Sequence, residues 1–118
     1  MFTQAVSFAG QSVPFAVEQR ITVRHACALE GISRPLDVND SLSWGATVRD
    51  LSSGGVGLLV CYPFRLGTYL TLEIQGSDGQ PRGLLARVAH VRDQKDGTWH
   101  VGCEFAKHLS DQDVRRMV

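Results

Sequence analysis

The feature that most constrains this chain is a two-residue alternation of apolar and polar side chains, carried in short runs with turn signals between them. Successive side chains of a strand point to opposite faces, so period two marks a half-buried sheet, whereas a helix repeats about every 3.6 residues. Residues 21–29 form the first such run. Ile21, Val23, His25, Cys27 and Leu29 fall on one face, with Thr22, Arg24, Ala26 and Ala28 on the other. The segment 30–43 reads as a turn-rich connection punctuated by Gly31, Pro35, Asn39 and Asp40. Trp44, Ala46 and Val48 alternate with Gly45, Thr47 and Arg49 in a second strand. Residues 50–55 read as a turn, because paired glycines permit positive φ and short polar side chains bond the local backbone. Further strands are expected over 56–61, 68–74, 84–92 and 98–105, separated by turns. Ser110, followed by Asp111 and Asp113, opens a helix that runs to the end through Val114 and Met117. The whole predicts a mainly β domain: a six-stranded antiparallel β-barrel with a C-terminal α-helix.

Length and charge narrow the function. At 118 residues and 43% hydrophobic, the chain can bury one modest core but not two. Twelve basic side chains balance twelve acidic ones, which argues against a protein that coats nucleic acid or an anionic membrane through bulk charge. All the basic residues except Lys95 and Lys107 are Arg, the fork-shaped donor suited to phosphates and planar groups, although a GC-rich coding bias gives the same excess. No run of about 18 apolar residues occurs, so no membrane-spanning helix is expected. Residues 1–17 carry no charge and lack the basic start of a secretory signal; they read as a flexible lead-in to a single domain over 18–118. Cys27, Cys61 and Cys103 are too few and too widely spaced for a disulfide framework, which fits a reduced, cytoplasmic setting.

Two strings carry candidate chemistry. Arg20-Ile-Thr-Val-Arg24 places two guanidiniums four residues apart at the entry to the first strand, able to hold phosphates bidentately or to grip a guanine edge. With this composition such a pair is expected about 0.8 times by chance, so alone it is weak. Asp50-Leu-Ser52-Ser-Gly-Gly55 is more specific, expected about 0.06 times by chance. Such a turn offers backbone N–H groups, a hydroxyl and a carboxylate at one spot, and Gly55 lets a ligand approach the backbone. The competing account is an ordinary turn in which Asp50 and Ser52 satisfy their own backbone. Other constellations are weaker. His25 and Cys27 share a strand face, but His100 and Cys103 point to opposite faces and no C-x-x-C is present, so no metal site is expected. No nucleophile elbow or phosphate loop appears, so no catalytic residues are assigned. Trp44 and Trp99 sit on inward faces as core residues, and Arg49 reads as a solvated strand residue.

Taken together, Arg20-x-x-x-Arg24 and, about 26 residues on, Asp50-x-Ser52-x-x-Gly55 resemble the signature pair of PilZ domains. The segments 86–92 and 101–105 are similar to the closing hairpin of that family, and the resemblance spans roughly residues 18–118. It implies a split-barrel type of six-stranded fold and a receptor, not an enzyme, for the bacterial second messenger cyclic di-GMP. By the resemblance, Arg20 and Arg24 meet the messenger's phosphates and guanine, while Asp50, Ser52 and Gly55 line a guanine on the barrel surface. The messenger is a dianion with two guanine edges, chemistry that two Arg forks and an acceptor carboxylate match. Ordering of the N-terminal linker around the messenger would then switch interactions with an effector protein, the domain itself being a monomer or homodimer. Many members carry a further Arg where this chain has Gln19, which points to one bound messenger and not a stacked dimer. The rival reading is a ligand-free PilZ-like protein–protein interaction adaptor. A barrel binding single-stranded nucleic acid ranks third, because the few aromatics lie mostly on apolar faces.

Overall fold

The structure, a computed structural model, describes residues 23–36 and 42–118. The expected lead-in over 1–17, Gln19, Arg20, the beginning of the first run at Ile21 and the middle of the 30–43 connection lie outside the described residues. Six strands follow in chain order: β1 (His25–Pro35), β2 (Trp44–Leu51), β3 (Gly55–Val60), β4 (Tyr69–Gln75), β5 (Pro81–Asp93) and β6 (Trp99–Phe105). A short helix, α1 (Asp111–Met117), ends the chain. The strands close into a barrel in the order β1-β2-β3-β6-β5-β4, and every neighbouring pair is antiparallel. The expected fold class is the observed one.

The alternation sorts the strands as read. Leu70, Leu72 and Ile74 of β4, with Val101, Cys103 and Phe105 of β6, point into the barrel and are buried. Trp44 and Trp99 are half-buried against this core. At one end Trp44 stacks on Tyr62 with centroids 4.3 Å apart, and Phe64 meets both rings edge-on. At the other end α1 begins as expected, Ser110 Oγ accepting from the Asp113 N–H at 3.0 Å. It buries Val114 and Met117 under the barrel.

Two expectations need correction. The segment 30–35 is strand, not turn: β1 runs on to Pro35 and uses Gly31–Pro35 to pair with β4, Gly31 opposite Ile74 and Pro35 opposite Leu70. Its inward positions there are Gly31, Ser33 and Pro35, all turn-type residues, while Ile32 faces out at 43% exposure. Barrel closure demands that β1 pair with both β2 and β4, and that tertiary requirement overrides local propensity. Buried Ser33 is satisfied by donating to the Trp44 carbonyl at 3.0 Å. The second correction is at Asp50 and Leu51, which finish β2 instead of opening the turn.

The β4–β5 hairpin is pinned by its own charges. Arg82 donates to both carboxylate oxygens of Asp78, at 3.1 and 2.9 Å. That hydrogen bonding, first from Arg82 and then from the Gln80 N–H, lowers the Asp78 carboxyl to about 2. A depressed carboxyl pKa contributes stability that is complete above the unfolded value and is lost as pH falls toward about 2. A carbon-detected NMR titration is therefore expected to give Asp78 a midpoint near 2 in the parent and a midpoint moved up toward, but still below, the ordinary value of 3.8 in Arg82→Ala, where the Gln80 N–H bond remains.

Candidate functional site

The site grows from three β-bulges. An extra residue in one strand flips the facing of everything after it. Register shifts occur in β1 between Ala26 and Leu29, in β2 between Val48 and Asp50, and in β5 between Val88 and His90. The β2 bulge lets Val48 and Leu51 both lie fully buried while Asp50 turns to the outer surface. The β5 bulge does the same for His90, which a strict alternation with Ala86 and Val88 would have sent into the core.

After Leu51 the chain turns on Ser52, only 1% exposed. Its N–H donates to the Gly55 carbonyl at 2.9 Å. Its hydroxyl accepts from the N–H groups of Gly54 and Gly55 at 3.3 and 3.2 Å and lies 3.3 Å from the Gly55 carbonyl. Ser52 thus organises its own turn, the role the sequence allows for any turn serine. The turn is stitched to the next layer: Phe105 N–H donates to the Gly54 carbonyl at 2.9 Å and Leu109 N–H to the Ser53 carbonyl at 2.8 Å. Ser52→Ala leaves two turn N–H groups without their acceptor and is expected to cost about 1–3 kcal/mol in denaturant unfolding.

Arg24, just ahead of β1, lies across this turn. Its Nε and Nη2 both donate to Asp50 Oδ1, at 2.9 and 2.6 Å, and Nη1 reaches Ser52 Oγ at 3.4 Å. The pair is open to water, with side-chain exposures of 52% for Arg24 and 28% for Asp50, so it positions the guanidinium without adding much stability. Because one oxygen takes both bonds, Asp50 Oδ2 makes no hydrogen bond among the described residues. His100 Nε2 lies 4.0 Å from it.

Around this pair opens a cleft of about 650 Å³, bounded by Arg24, Asp50, the 52–55 turn and the outer faces of β5 and β6. That is within the usual range for small-ligand sites. The sequence expectations meet here in part. Arg24, Asp50, Ser52 and Gly55 all line the cleft, whereas Arg20 lies outside the described residues. His90, His100, Glu104 and His108 also line it and were not assigned to the site from sequence. The bulge hides His90 from period counting; the outward phase of β6 gives away His100 and Glu104, opposite Trp99, Val101 and Cys103. Arg49 is exposed at the bulge and does not line the cleft.

Cys27 and Cys103 are not activated thiols. Burial pushes Cys103 up to about 12, and burial followed by the Asp50 charge raises Cys27. Among the described residues no group of three or more His, Cys, Asp or Glu is placed to hold a metal ion. No helix among them is long and apolar enough to cross a membrane.

Comparison with known proteins agrees with this fold. The solved PilZ domain with c-di-GMP of YcgR from Escherichia coli superposes with a TM-score of 0.61 at 18% identity, covering 84% of this chain and 86% of that one. YcgR from the same organism in complex with c-di-GMP gives 0.64 at 17% identity over 84% of this chain and 42% of that one. The Bacillus subtilis inhibitor of motility, MotI/DgrA, gives 0.62 at 18% identity over 83% of this chain. This chain spans 47% of that protein's length. No curated protein sequence matches the chain. The sequence profile described as PilZ domain matches residues 14–118, and with the closed six-stranded barrel this places the chain in the PilZ domain family.

Proposed function

We propose that this chain is a receptor module for cyclic di-GMP and carries no catalytic activity. One observation supports the reading above the rest: Arg24 is held in a fork on Asp50 Oδ1, half exposed, with Oδ2 left open over a turn of buried Ser52 and Gly55. The guanidinium can meet a phosphate or the O6/N7 edge of guanine, and Oδ2 can accept from guanine's imino and amino hydrogens. Membership of the PilZ family and the c-di-GMP complexes of YcgR and of the Klebsiella protein MrkH support the same ligand.

In this reading Arg20 supplies the second fork from the segment ahead of β1. The messenger gathers residues 18–24 over the barrel surface, which changes what the domain presents to an effector protein. Gln19, in place of a further Arg, limits the site to one messenger per protomer. The test is an NMR titration with cyclic di-GMP. The amides of Asp50, Ser52, Gly54, Gly55 and Gly102 are expected to shift, while those of Ile32 and Leu85, on the outer face of β1 and β5, stay in place. Shifts confined to the β1–β4 face would overturn the assignment and favour an adaptor surface.

A further inference from the structure

The two motifs leave one cluster in the cleft unexplained. The rings of His90 on β5 and His100 on β6 lie with centroids 5.7 Å apart and planes within 16°. Beneath them is a cross-strand glycine pair, Gly57 on β3 opposite Gly102 on β6. A Cβ at Gly102 would fall on the His90 ring; one at Gly57 would lie 2.9 Å from His100 Nε2 and 2.6 Å from Asp50 Oδ2. Bare backbone on two neighbouring strands therefore lets both imidazoles and the Asp50 carboxylate lie flat on the barrel wall. His100 Nδ1 is buried and has no hydrogen-bond partner among the described residues, an orphaned polar atom that asks for an explanation.

We propose that the His90–His100 pair is a further ligand-contact element of the cleft, and that His100 takes up a proton from solvent when the dianionic messenger binds. Affinity then rises as pH falls. The inference rests on the cyclic di-GMP reading above.

The surroundings of His100 set the sign. β3 brings no titratable side chain to it. β5 brings His90 and Arg92, the latter directly opposite His100 in the register. Arg24 approaches from the lead-in to β1 and Asp50 from β2. Further along, Glu104 is paired with Arg87 at 3.0 Å, and His108 packs beside Gly54. Burial first, and then the Arg92 charge, lower the His100 pKa below the ordinary 6.5, with Asp50 pulling the other way. The imidazole is thus neutral at pH 7 before the messenger arrives. Two phosphodiester charges in the cleft favour the imidazolium and raise that pKa. The complex then binds more protons than the protein alone, so affinity climbs as pH falls between the two pKa values and is flat above both.

Isothermal titration of the full chain with cyclic di-GMP tests this. Lifting one pKa by one unit corresponds to tenfold, so binding is expected to tighten by up to about tenfold as the pH is lowered from about 8 through the His100 titration. Near neutral pH, repeating the titration in buffers of different ionisation enthalpy should show net proton uptake. His100→Gln is expected to abolish the uptake and flatten the profile, and His90→Gln to reduce both. Circular-dichroism melts verify that the variants fold, and the parent's own proton uptake decides the question even if a variant does not. Binding without proton uptake in the parent, or an unchanged pH profile in His100→Gln, overturns the inference and leaves the receptor reading intact. Absence of binding at every pH overturns both.

Discussion

Arg24→Ala is expected to weaken cyclic di-GMP binding by about 10- to 100-fold, the equivalent of removing one charge-assisted hydrogen-bond set of roughly 1.5–3 kcal/mol. The fold should be indifferent to the change. Arg24 stands ahead of β1, is half exposed, and pairs with Asp50 at the surface, where an ion pair contributes about 0–1 kcal/mol. Arg24→Lys should recover only part of the affinity, because a point charge cannot reproduce a planar fork that bridges Asp50 and a ligand oxygen. Titration calorimetry beside a thermal melt separates the two effects. Parent-like affinity in both variants would remove Arg24 from the site.

The second large effect concerns the turn itself. A Cβ at Gly55 would run into the backbone carbonyl of Cys103, which no rotamer change can relieve. Gly55 opens β3 and lies opposite Glu104 on β6, so the strain falls on the junction that also holds Ser52. Gly55→Ala is expected to destabilise the domain by about 2 kcal/mol and to lower Tm by roughly 10 °C. Gly83→Ala, in β5 where the added Cβ meets nothing within 4 Å, should stay within about 0.5 kcal/mol of the parent. Equal melting temperatures for the two variants would contradict this account of Gly55. In the proposed site Gly55 serves by keeping β3 close to β6, which in turn holds the Ser52 turn under Arg24.

Much of the barrel is legible in the sequence because its inward residues are apolar and evenly phased. β4 and β6 show this best, with Leu70, Leu72 and Ile74 in one and Val101, Cys103 and Phe105 in the other. The second half of β1 is not legible, since Gly31, Ser33 and Pro35 occupy its inward positions and pairing with β2 and β4 makes them strand. The site divides the same way. Arg24, Asp50, Ser52 and Gly55 announce themselves as strings of unusual residues at fixed spacing. His90 and the outward turn of Asp50 depend on bulges after Val88 and Val48, which period counting passes over. The glycine floor under the histidines is likewise a cross-strand property, visible only once Gly57 and Gly102 are paired.

The central claim is that this domain recognises a cyclic guanine dinucleotide through Arg24, Asp50 and the 52–55 turn. It is tested most directly by calorimetric titration of the full chain with cyclic di-GMP, beside the linear guanine dinucleotide and a short single-stranded oligonucleotide. The account predicts saturable binding of one cyclic di-GMP per protomer, markedly weaker binding of the linear compound, and none of the oligonucleotide. No binding of cyclic di-GMP, or equal binding of all three, would contradict it.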